Sequence, residues 1–152
     1  MATHVNRFVV GLDGENRSAV LQRGLTNVQS REGLYWSATL WTTQETPVDN
    51  TIAGDRSQTA DPGESLQPFP NGLICRALEI EAGAEFPMHH TDTLDRLTCV
   101  RGEIYLVTET DEVLMQPGDT AIIRGVKHAW SNRSSEPCLH VGTMTDATPY
   151  ER

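Results

Sequence analysis

Residues 83–102 read GAEFPMHHTDTLDRLTCVRG, and residues 117–132 read PGDTAIIRGVKHAWSN. In both stretches, glycines mark turns around short runs rich in Leu, Ile, Val and Thr, a pattern that favours β-strands. His89 lies shortly before one predicted strand, and His128 lies shortly after another. On neighbouring strands of a small barrel, side chains in such positions converge at one mouth, which is where these barrels bind ligands.

Outward from these stretches, the same pattern continues through most of the chain. Short apolar runs recur at intervals of roughly 8–12 residues, which predicts an all-β jelly-roll barrel with few short helices. Asp13 and Gly14 stand between two β-prone runs and predict a hairpin, which adds an N-terminal strand extension to the barrel. The predicted strands are residues 6–12, 18–21, 33–42, 73–80, 95–100, 103–108, 113–116, 120–123 and 139–144.

The chain is predicted to form a single domain with an N-terminal part and a barrel core. Residues 1–72 supply the first strands and a long loop that is integrated with the barrel, and residues 73–148 form the core. The loop, residues 43–71, contains four prolines and little apolar sequence. A structureless loop of this length in a compact domain is usually functional or disordered. The sequence leaves three roles open, namely a lid over the mouth, a dimer-contact arm and a disordered insertion.

The order and spacing of the two quoted stretches resemble the two motifs of the cupin family. The first motif is matched by Gly83, His89, Asp95 and Gly102. The second is matched by residues 117–119, Gly125, His128 and Asn132, with one residue fewer before the second glycine. The two motifs together span about a third of the chain. This resemblance implies a small single-domain cupin barrel.

The first motif departs from the metal-binding form of the family. That form supplies His-x-His, a Glu and a final His to a divalent metal, whereas here Thr91 replaces the second His and Asp95 replaces the Glu. His89 and His128 are kept, and His90 points to the opposite strand face from His89. His89, Asp95 and His128 are therefore the candidate catalytic residues. They suit either a two-His, one-carboxylate site for one divalent metal (Fe, Zn, Mn or Ni) or a metal-free acid/base site.

Five further residues are candidates for substrate contacts. Arg76 shares a strand face with apolar neighbours; if this face points inward, its guanidinium requires a carboxylate from Asp95, from near Glu79 or from an acidic substrate. The alternative is that this face points outward or belongs to a dimer interface. Cys99 has the strand parity of Asp95, and Trp130, two residues after His128, can form an apolar wall. Cys99 as a small buried hydrophobe and Trp130 as a core aromatic are the alternatives. The full set is Arg76, Thr91, Cys99, Tyr105 and Trp130.

Composition limits the partners and the compartment. The net charge of −9, from 12 Lys and Arg against 21 Asp and Glu, has the wrong sign for binding a phosphate backbone, so no nucleic-acid partner is expected. No apolar run approaches the ~18 residues of a membrane span and no signal-peptide pattern begins the sequence, which predicts a cytoplasmic protein without membrane association. The three cysteines, Cys75, Cys99 and Cys138, resemble no metal knuckle in their spacing and are expected to be reduced.

Three functions remain open on the sequence. The leading one is a small enzyme that decarboxylates, dehydrates or isomerises a small organic acid, carbonyl compound or polyketide-like compound, with His89 or His128 as the base and Asp95 balancing the charge. The second is an iron-dependent dioxygenase, and the third is a non-catalytic barrel that binds a small ligand. The cupin resemblance also implies a homodimer, in which residues 8–12 or 34–40 would cover an exposed sheet edge.

Overall fold

A computed structural model describes residues 5–26, 28–52 and 67–151 of the chain. These residues form strands, turns and bends, and the few short helices that the sequence predicts are not found among them. Within this part of the chain no helix is long and apolar enough to cross a membrane. The strands are β1 (Asn6–Leu12), β2 (Ser18–Leu25), β3 (Val28–Arg31), β4 (Tyr35–Thr43), β5 (Leu73–Ile80), β6 (Glu85–His89), β7 (Thr93–Arg101), β8 (Ile104–Val107), β9 (Glu112–Met115), β10 (Thr120–Arg124), β11 (His128–Ser131) and β12 (Cys138–Asp146).

The strands form two antiparallel sheets and a separate hairpin. The larger sheet has the order β10-β7-β12-β5-β4-β3, and the smaller has the order β6-β11-β8-β9. The hairpin consists of β1 and β2. The two sheets pack over an apolar interior as a jelly-roll barrel, so the predicted all-β fold is confirmed.

The main core lies between the two sheets. Because side chains alternate across a strand, every second residue of each strand points into this space. The larger sheet contributes Ile80, Cys99, Ile123 and Cys138, and the smaller sheet contributes Ile104, Met115 and Trp130. Each large apolar side chain that is removed from water here stabilises the fold by about 1.5–3 kcal/mol.

The opposite face of the larger sheet is also covered, which explains why β5 is buried on both sides. Trp36, Ala38 and Ala77 form a second apolar cluster there. The carboxylate of Glu79 is buried in the same layer, where it accepts a hydrogen bond from Trp36 Nε1 at 2.7 Å and pairs with Arg101. A buried carboxylate is tolerated when it has such partners.

The hairpin of β1 and β2 lies against β4 and presents an apolar outer face. The Arg7 guanidinium donates a hydrogen bond to the carbonyl oxygen of Leu40 at 3.0 Å, which ties the hairpin to the barrel. The outer face carries exposed large hydrophobic side chains in a patch that we call the hairpin patch. Its members are Phe8, Val10, Leu12, Val20 and Leu25.

The long loop between β4 and β5 is described only at its two ends. Residues 53–66 lie outside the described residues, so the predicted lid, arm or disorder stays a prediction. The first part of the loop, together with β1 and the end of β4, bounds a groove of about 770 Å³. This groove is lined by none of His89, Asp95 and His128.

Candidate functional site

Antiparallel pairing of β6 with β11 brings two histidines together at one end of the barrel. His89 and His128 are register partners, and their ring centroids are 4.4 Å apart with an angle of 54° between the ring planes. Pro87 is accommodated in β6 because this strand is at the edge of its sheet. His128 is buried and His89 is half-buried, so the pair marks the mouth of the barrel.

Backbone carbonyls fix the protonation of both rings. The Nδ1–H of His89 donates to the carbonyl oxygen of Pro87 at 2.8 Å, and the Nδ1–H of His128 donates to that of Val126 at 3.0 Å. A carbonyl oxygen only accepts, so each neutral ring carries its hydrogen on Nδ1 and its lone pair on Nε2. Among the described residues, no hydrogen-bond partner occupies Nε2 of either ring. Nε2 of each ring therefore keeps its lone pair free of other groups in the described part of the chain.

A chain of hydroxyl groups leads to the buried carboxyl group of Asp95. Thr93 Oγ1 donates to Asp95 Oδ1 at 2.5 Å, and the hydroxyl groups of Thr91 and Thr93 are 2.6 Å apart. Since the Thr93 hydrogen is used on Asp95, the Thr91 hydroxyl donates to Thr93. All three side chains are buried. The turn at Gly125 (φ +64°) packs against this segment, and a Cβ there would lie 3.2 Å from the carbonyl oxygen of Thr91.

Burial changes the pKa of two of these groups in opposite directions. It raises the pKa of Asp95, an effect that the hydrogen bond from Thr93 and the nearby His89 partly offset. Burial lowers the pKa of His128; the hydrogen bond to Val126 opposes this and the neighbouring His89 adds to it. His128 is therefore held neutral, and the two adjacent imidazoles do not both carry a positive charge.

The donor atoms of the three candidate residues do not fit one metal ion in this arrangement. Two atoms bound to the same Zn²⁺ or Fe²⁺ lie no farther apart than about 4.4 Å, the sum of two bonds to nitrogen or oxygen. In the described part of the chain, the only His, Cys, Asp or Glu set whose donor atoms all lie within 4.8 Å of one another is Cys99, Cys138 and His140. His89, Asp95 and His128 fall outside that limit, so we derive no chemical step through a metal here.

The structure brings some of the predicted substrate contacts to this region. Arg76 lies on the interior face of β5. Gly142 of β12 pairs with Arg76 on one side and with Leu97 of β7 on the other, so Arg76 lies level with Leu97, two residues farther along β7 than Asp95. Thr91 joins the hydroxyl chain at the mouth. Trp130 lies directly below His128, and the two rings meet edge to face with centroids 5.9 Å apart. Arg76 and Trp130 therefore share the barrel interior with His128, and Thr91 lies beside Asp95 through the hydroxyl group of Thr93.

Two of the predicted substrate contacts lie away from the histidine pair. Tyr105 projects from the outer face of β8, because its neighbour Ile104 faces the core, and the Arg133 guanidinium covers its ring at 4.1 Å. Cys99 shares the interior face of β7 with Asp95, as its parity predicts, but it is fully enclosed near Cys138 and does not line the mouth. Neither side chain reaches the histidine pair.

The sequence and the fold were compared with known protein families and solved structures. Residues 77–141 match the Cupin_2 family, described as a cupin domain, and the match includes His89, Asp95 and His128. The chain carries a cupin domain. This confirms the resemblance seen in the two sequence motifs. The solved structure of an RmlC-like cupin from Shewanella frigidimarina aligns over 95% of both chains with a TM-score of 0.57 and 14% identity, which shows that the cupin fold is shared.

Curated relatives of this cupin are longer than the chain itself. Phomopsin biosynthesis cluster protein C' of Diaporthe leptostromiformis is 35% identical over 100 residues, which cover 62% of this chain and 51% of that protein. The cupin-domain-containing oxidoreductase fogC of Aspergillus ruber is 26% identical over 135 residues, covering 86% of this chain and 65% of that protein. The chain thus spans about half to two-thirds of the length of these relatives.

Two features of this cupin were not predicted from the sequence. The first is Thr93, which links Thr91 to Asp95 by hydrogen bonds. Its only signal in the sequence is that residues 91, 93 and 95 alternate and so share one strand face. His140, from β12, lies below Trp130 with ring centroids 5.0 Å apart. The rings of His89, His128, Trp130 and His140 therefore form a continuous column from the mouth into the core.

His140, the deepest ring of this column, is expected to make the stability of the folded protein depend on pH. Burial lowers the pKa of His140 from 6.5 to about 4, so between these values the unfolded chain binds a proton that the folded chain does not. In the presence of chelator, we expect His140 to reduce the free energy of unfolding by about 2 kcal/mol between about pH 7 and about pH 5. Urea unfolding of the wild type and His140→Gln at about pH 7 and about pH 5 measures it.

Other groups also titrate between these pH values. The contribution of His140 is therefore obtained from the difference between the wild type and the variants. His140→Gln should lose less stability on acidification than the wild type, whereas His90→Gln, which changes an exposed histidine, should behave like the wild type. An equal loss in wild type and His140→Gln would contradict the prediction.

Proposed function

We propose that this cupin is an enzyme that moves a proton next to a carbonyl group in a small organic acid, carbonyl compound or polyketide-like compound. The observation that carries the proposal is the pair of imidazoles, His89 and His128, which are fixed at Nδ1 and whose ring centroids lie 4.4 Å apart. The buried Asp95 carboxyl group lies close enough to His89 to interact electrostatically with it. Decarboxylation, dehydration and isomerisation all need this kind of proton transfer.

His128 is suited to act as the base. Its burial favours the neutral ring, and its Nε2 lone pair is directed away from the backbone carbonyl that fixes Nδ1. The proton leaves the substrate carbon for Nε2, and the C–H electron pair moves into the carbonyl group to give an enolate. From this enolate, isomerisation returns a proton to a different carbon, and dehydration expels water after protonation of a hydroxyl group. Decarboxylation removes no C–H proton: the electron pair of the breaking C–CO₂ bond forms the enolate, and a protonated imidazole then donates its proton to the carbon.

His89 and Asp95 supply the balancing charges. The neighbouring His89 lowers the pKa of Asp95 and that of His128, so the three groups are electrostatically coupled. In the proposed reaction the two imidazoles share one transferable proton, which one ring accepts and the other returns. The Thr91–Thr93 hydroxyl chain keeps the Asp95 carboxyl group in position throughout.

The interior suits a small substrate with an acidic group. Arg76 projects into the barrel one row below Asp95, where a guanidinium favours a carboxylate or an enolate oxygen. The Trp130 ring closes the space below His128 with an apolar surface. The names of two relatives, a biosynthesis cluster protein and a cupin-domain-containing oxidoreductase, support a role in small-molecule metabolism.

Proton exchange in D₂O tests this proposal even when the final product is not identified. A panel of β-keto acids and 1,3-dicarbonyl compounds is incubated with protein, and loss of the α-proton signal is followed by ¹H NMR. We expect at least one compound to exchange faster with wild type and with His90→Ala, and more slowly with Asp95→Asn. Binding of panel compounds without exchange would support the non-catalytic alternative instead.

An iron-dependent dioxygenase is the second candidate. It is favoured by the anchoring of both imidazoles at Nδ1, which is typical of metal-binding histidines, and by the relative named as an oxidoreductase. It requires Asp95 to move toward the histidine pair. Iron-dependent oxygen consumption with a substrate that shows no α-proton exchange would favour this candidate over acid/base catalysis.

We also propose that the cupin forms a homodimer through the hairpin patch. Five large apolar side chains on one small face are unusual for a monomer, and Phe8, Val10 and Leu12 are each more than 60% exposed. Light scattering at micromolar concentration should give twice the chain mass for the wild type and the monomer mass for the double variant Phe8→Asp, Val10→Asp. Val113→Asp, on an exposed position of β9, should stay dimeric.

A monomeric wild type at that concentration would rule out a stable homodimer. A double variant that remains dimeric would place the interface elsewhere on the chain.

A further inference from the structure

Below Trp130, two cysteines and a histidine converge in the closed end of the barrel. Cys138 and His140 alternate along β12 and share its interior face, and Cys99 of β7 is the register partner of His140. All three are at most 1% exposed, and both thiols are free. We call this set the thiol–imidazole cluster. The Trp130 ring separates it from the histidine pair at the mouth.

The distances within the cluster are those between ligands of one tetrahedral metal ion. With bonds of about 2.3 Å to sulfur and about 2.0–2.1 Å to nitrogen, a tetrahedral zinc site places two sulfurs about 3.8 Å apart and a sulfur and a nitrogen about 3.5–3.6 Å apart. Cys99 Sγ and Cys138 Sγ are 3.7 Å apart, and Cys138 Sγ and His140 Nε2 are 3.6 Å apart. All three donor atoms lie within 4.8 Å of one another. The side chains therefore need little or no rearrangement to bind an ion.

The burial of His140 is poorly compensated without such an ion. Its Nε2 has only the weak contact with the Cys138 sulfur, and its Nδ1 has no hydrogen-bond partner in the described structure. Burying an imidazole in this way costs free energy, and an apolar side chain of similar size would avoid that cost. A bond from Nε2 to a metal would offset part of it. Two cysteines acting only as small hydrophobic residues give no reason for a histidine beside them.

We propose that Cys99, Cys138 and His140 bind a thiophilic d¹⁰ cation, Zn²⁺ or Cu⁺, through the two sulfurs and Nε2. Two thiolates and a neutral imidazole around Zn²⁺ carry no net charge, so the closed end of the barrel can hold the complex. Soft sulfur ligands select these ions over Mg²⁺, Ca²⁺ and Mn²⁺. Because the cluster is enclosed, the ion enters as the chain folds and stabilises the folded state.

Refolding with Co²⁺ or Zn²⁺ tests the site directly. The reduced chain is unfolded, freed of metal and refolded with one equivalent of Co²⁺, which reports thiolate ligation by an intense near-ultraviolet charge-transfer band. We expect the wild type to show this band after refolding with Co²⁺ and to lack it after refolding with Co²⁺ and an excess of Zn²⁺. Wild type refolded with Zn²⁺ should retain about one ion per chain through gel filtration and unfold at a higher temperature.

Matched variants assign the ligands. Cys138→Ala should lose both the band and the retained zinc, whereas Cys75→Ala, which removes the cysteine outside the cluster, should keep both. His128→Gln should also keep both, because that histidine belongs to the mouth. Anaerobic refolding with equal amounts of Zn²⁺ and Cu⁺ distinguishes the two cations, since the ion that the folded chain retains is assigned to the site.

Three results would overturn the proposal. The first is a wild-type Co²⁺ spectrum without a thiolate band, which needs no variant to fold. The second is undiminished zinc retention by Cys138→Ala. The third is zinc retention that is lost in His128→Gln and kept in Cys138→Ala, since this would assign the ion to the mouth.

Discussion

Replacing His128 with glutamine is expected to slow catalysed α-proton exchange by about 100- to 10,000-fold, the usual contribution of a positioned general base. Glutamine is similar in size and retains hydrogen-bonding capacity, but its amide does not accept a proton at neutral pH. The buried position of His128 leaves little room for water to act in its place. The rate of deuterium incorporation, measured by ¹H NMR under saturating substrate, gives the effect on the chemical step.

His90→Gln is the matched control for this variant. His90 adjoins His89 in the sequence but is exposed, so its loss should change the exchange rate by less than about threefold. The urea midpoint of His128→Gln should be measured alongside, so that a loss of exchange is attributed to the folded protein. If folded His128→Gln exchanges within a few-fold of the wild type, His128 is not the base.

Replacing Trp130 with alanine is expected to lower the free energy of unfolding by about 3–5 kcal/mol. The indole is 4% exposed and belongs to the main core between the two sheets. Its removal leaves a cavity and deletes two ring contacts, with His128 at 5.9 Å and with His140 at 5.0 Å. Urea denaturation followed by circular dichroism measures the change.

Trp130→Phe is the control, because it retains the contacts of an aromatic ring and removes only part of the side-chain volume. It keeps an aromatic ring between the two histidines, so its cost should be clearly smaller than that of Trp130→Ala. A loss of less than about 1 kcal/mol for Trp130→Ala would contradict the placement of the indole in a packed core.

Most strands were predictable because local pattern and tertiary environment agree. The predicted strands at residues 6–12 and 73–80 coincide with β1 and β5, and each of the other predicted strands overlaps an observed one. The prediction at 33–42, for example, corresponds to β4. The residue pattern is sufficient in β4 and β5, whose apolar residues are buried in the sheet, and the Asp13–Gly14 turn supports the prediction of β1.

The three strands that were not predicted have weak local signals. β3 and β11 have only four residues each, and β6 contains Pro87, which argues against a central strand. β6 and β11 nevertheless carry His89 and His128. Their pairing with each other, rather than their own composition, makes them strands. The site was therefore predicted from motif spacing, while the strands that hold it were not.

The contacts of the barrel interior could not be predicted from the sequence, because they depend on how distant strands pair. Cys138 and His140 are two residues apart, but Cys99 is 39 residues before Cys138, at a spacing that matches no known cysteine motif. Only the pairing of β7 with β12 places it opposite His140. The outward position of Tyr105 could not be predicted for a related reason, because its strand parity alone does not say which face of β8 points inward.

The central claim is that the histidine pair and Asp95 catalyse proton transfer without a metal at the mouth of the barrel. The most direct test is the rate of α-proton exchange by wild-type protein before and after dialysis against a strong chelator, with the best compound of the panel. We expect the rate to be unchanged by chelation and to fall sharply in Asp95→Asn under the same conditions. Exchange that disappears on chelation and returns with Fe²⁺ would contradict the claim and assign a metal to the mouth.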